Sequence, residues 1–180
     1  MTWNDITVKQ FYELQKAGGL YEDELDKRLA IIAAIQGITF DEATDLKISE
    51  IAKLTKEYSF LNEPIKTKVV TKWRDYEFVI KLSNLKAGQM IDFLEACKED
   101  INFKLHTVLA ILDIGNKKDF DEKETEILNH CPITIIKGIS DFFFRKYELS
   151  HQVIQEYSLN RMKEMNQILR NQKQALEGIL

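Results

Sequence analysis

Chain breakers and cross-linkers are scarce here: 180 residues carry two prolines, two cysteines and seven glycines. So few breakers exclude a sandwich of many short strands and favour helices joined by short connections. The cysteines, Cys97 and Cys131, are too few for the disulfide framework of a small secreted scaffold, so a reducing compartment is expected. No apolar run reaches the roughly 18 residues that span a bilayer. The opening MTWNDITVKQ lacks the basic and apolar regions of a secretion signal, and a soluble chain is expected. An excess of positive charge is missing too. The net charge is −4, which argues against a general nucleic-acid binder, because such a protein needs a basic face to displace counterions from phosphate.

What is present reads as helix. The hydrophobic fraction of 44% and charged fraction of 30% are those of a chain with a packed core. Thr7 to Gln10 forms a capping box, followed by Val8, Phe11 and Tyr12 on one face, with Gly18-Gly19 as the stop. A second helix is expected over residues 22–36, with Leu25, Leu29, Ile32 and Ile35 inward and Gly37 as its left-handed close. Thr39 to Glu42 is another capping box, opening a short helix that presents Phe40, Ala43 and Leu46. A fourth helix over residues 48–61 carries Ile48, Ile51, Leu54, Tyr58 and Leu61, and Asn62-Glu63-Pro64 ends it.

The pattern then changes to β-branched and aromatic residues. Val69, Val70 and Thr71 precede Tyr76, Phe78, Val79 and Ile80, with Arg74-Asp75 between them, so a small hairpin is expected. Two strands alone are marginal in water, and this pair needs helices or a partner strand against it. Helices resume near Lys86 with a stripe of Met90, Phe93, Leu94 and Cys97. The next stripe is Leu105, Val108, Leu109 and Leu112, after a cap at Asp100. Ile114-Gly115-Asn116 reads as a turn, and the charged stretch from Lys117 opens a helix ending near His130. Beyond Pro132, Ile133, Ile136, Ile139, Phe142, Phe143 and Phe144 are apolar around much of a helix, which marks it as central. Residues 148–180 then read as a long amphipathic helix.

The organisation expected is therefore mainly α: a multi-helix bundle with one small β-hairpin and a long C-terminal helix. Residues 1–64 form an N-terminal helical unit. Residues 65–147 add the hairpin and further helices to the same globular domain, and 148–180 form the terminal helix.

Assembled chemistry is not legible in the residues. His106, His130 and His151 lie on three separate segments with no partner at i+3 or i+4, so they read as surface or cap histidines rather than metal ligands. Cys97 falls on an apolar stripe without a base beside it. The acidic groups at residues 22–26 and 119–122 sit where helices start and complement the helix dipole. Lys86-Ala87-Gly88-Gln89 is too short to cradle phosphate. No catalytic residue, cofactor or metal is expected.

Binding surface is easier to find. Val153, Ile154, Tyr157, Met162, Met165, Ile168, Leu169 and Leu176 recur at helical spacing among Gln, Asn, Arg and Lys. Methionine-rich stripes suit adaptable contacts, and this one either folds back on the domain or docks on another chain. Trp73, near the hairpin tip, is either an interface anchor or packed back on the helices.

The cadence Leu29/Ile32, Ile35-Gln36-Gly37-Ile38-Thr39, Glu42, Leu46, Ile48, Ile51 and Phe60-Leu61 resembles a helical segment of tailed-bacteriophage tail assembly chaperones. In that family a T-G-x-[ST]-x-E-E turn joins two helices; Gln36 stands here where threonine is commoner. Gly88-Gln89-Met90-Ile91-Asp92 and Asp141-Phe142-Phe143-Phe144 are similar to small morphogenesis proteins of crAss-like phages that infect Bacteroidetes. The resemblance implies a non-enzymatic role in virion assembly. It implies other phage structural proteins or further copies of the chain as partners, and a place in the host bacterial cytoplasm with or without retention in the virion. A small regulatory or adaptor domain of a bacterial cytoplasm stands as the alternative.

Overall fold

The computed structural model describes residues 1–96 and 104–146, with Leu82 described in backbone only. The chain divides into two compact units, Met1–Phe142 and Phe143–Leu180. The first is mainly helical, with one small hairpin. The expected C-terminal helix, the cap at Asp100 and the position of Cys97 lie outside the described residues.

Local chemistry starts most of the helices. Helix α1, Val8–Leu20, begins at Thr7, whose hydroxyl accepts from Gln10 N–H while the Gln10 side chain accepts from Thr7 N–H. Helix α2, Glu24–Gln36, begins at Asp23, whose carboxylate accepts from Leu25 and Asp26 N–H. It closes at Gly37 with φ 68°, where a side chain would be strained. Helix α3, Phe40–Thr44, opens on the Thr39–Glu42 box. Helix α4, Ile48–Glu57, tightens into a 3-10 turn, Tyr58–Asn62.

Four sequence expectations fail here, for identifiable reasons. Gly18-Gly19 does not stop α1, which runs on to Leu20. Glycine weakens a helix interior by only about 0.5–1 kcal/mol relative to alanine, and α1 as a whole packs on α2. Leu25 is 55% exposed, because the first turn of α2 lies outside the cluster of Leu29, Ala33 and Ala43 that Ile38, Phe40 and Ile51 cover. Ile48, the first residue of α4, is 85% exposed for the same kind of reason. The fourth helix stops short of residue 61, and the tighter 3-10 pitch turns Phe60 inward beside Tyr58.

The hairpin is shorter than expected. Strand β1, Lys72–Trp73, pairs antiparallel with β2, Tyr76–Glu77, in the register Lys72↔Glu77 and Trp73↔Tyr76. Val69 and Val70 fall outside the ladder, and Arg74 takes the turn with φ 50°. The partner that two strands require is the segment after the sixth helix: Val79 N–H donates to Leu112 O and Ile114 N–H donates to Glu77 O.

Helix α5, Ala87–Ala96, packs on α6, Leu105–Leu112, and α6 packs on α7, Phe120–His130. α5 buries Phe93, but Leu94 is 40% exposed, against expectation; a helix with one main neighbour covers a narrow stripe. α7 starts at Asp119, whose carboxylate accepts from Glu122 N–H. A last helix, α8, spans residues 133–146. Ile133, Ile136 and Ile139 on it are fully buried, as its apolar circumference implies. The N-terminal segment closes the body: Val8 N–H donates to Cys131 O, and Ile133 N–H donates to Ile6 O.

Gly138 explains a mid-helix glycine that its sequence position does not. The strand-free stretch before β1 crosses α8 there, and a Cβ on Gly138 would lie 2.6 Å from Lys68 O and 3.1 Å from Lys68 N.

Candidate interaction surface

Of the residues expected to form the binding surface, Val153, Ile154, Tyr157, Met162, Met165, Ile168, Leu169 and Leu176 lie outside the described residues. Trp73 is described, and it is half-buried. Its ring stacks on Tyr76 at 5.4 Å, and the Arg74 guanidinium lies over it at 4.8 Å from the ring centre. The strand alternation puts Trp73 and Tyr76 in cross-strand register, and this produces the stack.

Arg74 also reaches Glu126 on α7 at 3.1 Å, where Lys118 and the Tyr76 hydroxyl converge on the same carboxylate. The Lys118 ammonium, followed by Tyr76 and Arg74, holds the Glu126 carboxyl down to about 2. Burial and the Glu126 charge push the Tyr76 phenol upward. This cluster ties the hairpin to α7 and leaves every member engaged.

Asp113 does comparable work on the other side of the hairpin. Its side chain is fully buried, and Lys123 Nζ lies 2.8 Å from Oδ2. Glu77, Gly115 and Asn116 donate backbone N–H groups to it at 3.0–3.4 Å. The turn at residues 114–116, legible in sequence, is thus built on one carboxylate. Gly115 is required there, since a Cβ would come within 2.9 Å of Glu77 Cβ.

A third polar cluster joins α1, α6 and α7. The Tyr12 hydroxyl accepts Leu105 N–H at 3.0 Å and lies 3.1 Å from His106 Nδ1. Which of the two donates in that contact is set by the tautomer of the ring, whose other nitrogen is Nε2. That nitrogen is 3.6 Å from Glu124 Oε1, which also accepts from the Thr107 hydroxyl. Burial pushes Tyr12 up to about 12 and holds His106 below its ordinary 6.5, although Glu124 pulls His106 the other way. His106 is therefore a partly buried residue held in a polar cluster, not the surface or cap histidine expected from its sequence. The signal available was its place on the α6 stripe beside Leu105 and Leu109. His130 does end α7. Cys131 is buried, its thiol pushed up to about 12 by desolvation, which makes it a poor nucleophile.

Among the described residues no group of three or more His, Cys, Asp or Glu could hold a metal ion, and no helix is long and apolar enough to cross a membrane. Among the described residues an open groove of about 760 Å³ lies between α1 and α2. Ala17, Ala30, Ala33 and Ala34 line it with small side chains. Tyr21 and Phe40, stacked at 5.0 Å, also line it, and Leu20 on its border is 71% exposed. Sequence reasoning missed this groove because alanines at helix–helix contacts look like ordinary core. Comparison of the chain with protein-family models, with curated proteins and with solved structures gives no match.

Proposed function

We propose that this chain is a bacteriophage morphogenesis protein, a tail assembly chaperone or a minor virion component near the portal or tail. It works by docking on other structural proteins or on copies of itself rather than by catalysis, in the host cytoplasm during assembly. The observation that carries the reading is the sequence stripe of Val153, Ile154, Tyr157, Met162, Met165, Ile168, Leu169 and Leu176. Apolar residues at helical spacing among long polar ones are the pattern of a helix that seats in a groove or a coiled coil. A few such anchors carry most of the affinity of a protein interface. The resemblance of residues 25–61 to tail assembly chaperones supplies the biological setting.

The test is the mass of the protein in solution, and its binding to neighbouring structural proteins, with Met165→Asp and Leu169→Asp in place. Loss of the higher-mass or partner-bound species, with the helical circular dichroism of residues 1–147 retained, is the expected result. Undiminished assembly by that variant overturns the reading. A gene order without terminase, portal or tail genes beside this one removes its phage setting.

A further inference from the structure

The groove between α1 and α2 is apolar along its floor and charged at its ends. Its alanines let an incoming helix come close to the α1 and α2 backbones. Leu20 stands exposed on its border, and the Tyr21–Phe40 stack flanks it. Glu22, Asp23 and Glu24 follow Tyr21 directly, and Asp41 and Glu42 follow Phe40. All five are exposed, and among the described residues only Glu24 of the five has an ion pair, with Lys27 at 3.6 Å. The aromatic end of the groove is therefore strongly acidic. Lys16, nearer the middle, is paired with Glu13 at 2.8 Å. At the start of α1, where Val8 N–H donates to Cys131 O, Lys9 and His130 line the groove.

Length and charge choose the occupant. It needs an apolar stripe about as long as α1, whose 13 residues rise about 20 Å, and basic groups for the acidic end. The sequence of this chain contains such a segment. Read as a helix, Tyr157 to Leu169 rises about 18 Å, with Met162, Met165 and Ile168 between them. Arg161, Lys163, Arg170 and Lys173 are interleaved with this stripe, and Glu164 is the one acid from Tyr157 to Leu176. The order of charge agrees, since Glu156 stands ahead of the basic stretch as Lys9 stands at the opposite end of α1 from Glu22. The groove belongs to the unit Met1–Phe142 and the segment to the unit Phe143–Leu180, so every copy carries both halves of the contact. Two grooves facing each other would set acid against acid, which disfavours a pairing of like surfaces.

We infer that the α1–α2 groove of one copy receives residues 157–176 of a second copy as a helix. The apolar stripe lies on the alanine floor, and the basic residues meet the acids beside Tyr21 and Phe40. This rests on the reading of residues 148–180 as the docking segment and adds the surface on which they dock. The two surfaces are unlike, so a copy that gives its segment keeps a groove open for the next. Copies then add head to tail, into a ring where the rotation closes and a filament where it does not.

The test mixes two defective full-length chains and reads mass in solution by light scattering. Leu20→Lys with Glu22→Lys spoils the groove at two exposed positions, so the helical circular dichroism is expected to stay that of the natural chain. Met165→Asp with Leu169→Asp spoils the segment. The natural chain is expected to gain mass with concentration and to lose it as salt is raised. Each variant alone is expected to remain a monomer. Their equimolar mixture is expected to form a one-to-one pair that grows no further, because one groove and one segment remain intact. Asp41→Lys tests the acidic end separately and is expected to weaken association more at low salt than at high salt. A groove variant that still self-associates, or a mixture that forms no pair, overturns the inference and leaves the docking role of residues 148–180 standing. Undiminished association by the segment variant overturns that role, and this inference with it. A natural chain of monomer mass at every concentration overturns the inference alone, since binding to other structural proteins is measured separately.

Discussion

Lys123 Nζ and Asp113 Oδ2 lie 2.8 Å apart in the interior, and the Asp113 carboxylate has no exposed surface. The pair links α7 to the turn that follows α6, while the same carboxylate accepts Glu77 N–H from β2. Removing one partner of such a pair strands the other without water or counter-charge. Asp113→Ala is expected to destabilise the protein by about 3–5 kcal/mol, measured as the shift in urea unfolding free energy. A loss below about 1 kcal/mol, the scale of a surface ion pair, would show that the carboxylate does not organise this junction.

Glycine-to-alanine substitution should change sign along the chain. At Gly18 and Gly19 an added Cβ meets nothing within 4 Å, so each alanine is expected to stabilise α1 by about 0.5–1 kcal/mol. At Gly138 the same methyl group would press on the Lys68 backbone at 2.6 Å. There the helix gain is reversed, with a net loss of about 1–3 kcal/mol from overpacking. Thermal unfolding of the three single variants checks the contrast.

Glu126 gives the stability a specific acid limb. Its folded carboxyl is held down to about 2 from the ordinary 4.5, by Lys118 first and then by Tyr76 and Arg74. A depressed folded value contributes stability that is complete above pH 4.5 and disappears as pH falls toward 2. Glu126→Gln should flatten that part of the curve while changing little of its shape at neutral pH. Urea midpoints across the acid range for both proteins test it.

His106 should titrate below its ordinary 6.5 because burial disfavours the imidazolium. The folded state then loses stability as pH falls below 6.5 toward the folded value. Glu124→Gln removes the one neighbour that favours the charged ring and should lower the midpoint further. Nitrogen chemical shifts of the ring, followed against pH, report both the midpoint and which ring nitrogen carries the proton.

Much of the helical skeleton was legible because its punctuation is local. Thr7 with Gln10, Thr39 with Glu42, Asp23, Asp119 and Gly37 each satisfy backbone groups within a few residues, so their roles can be read without knowing the fold. The turn at Arg74-Asp75 was legible for the same reason. What could not be read depends on which neighbour stands over a residue. Leu25, Ile48 and Leu94 sit on apolar stripes yet face outward, because nothing covers those turns. His106 looks polar and isolated but is partly buried and engaged, because Tyr12 and Glu124 come to it from distant positions. Trp73 was readable as part of the hairpin, but its stack with Arg74 depends on a backbone angle that few residues other than glycine adopt. The terminal stripe was legible as a pattern, and its occupant is a matter for the experiments above.

Thr134 donates its hydroxyl proton to Asn4, 130 positions away, and Ile133 N–H donates to Ile6 O beside it. The beginning of the polypeptide is therefore sealed by residues made near the end of the same body. During synthesis, α1 and α2 can pack as they emerge, but the edge formed by Ile6 and Val8 stays open until α8 arrives. A chain whose α8 has not yet emerged leaves that apolar edge uncovered, the kind of surface through which incomplete domains aggregate.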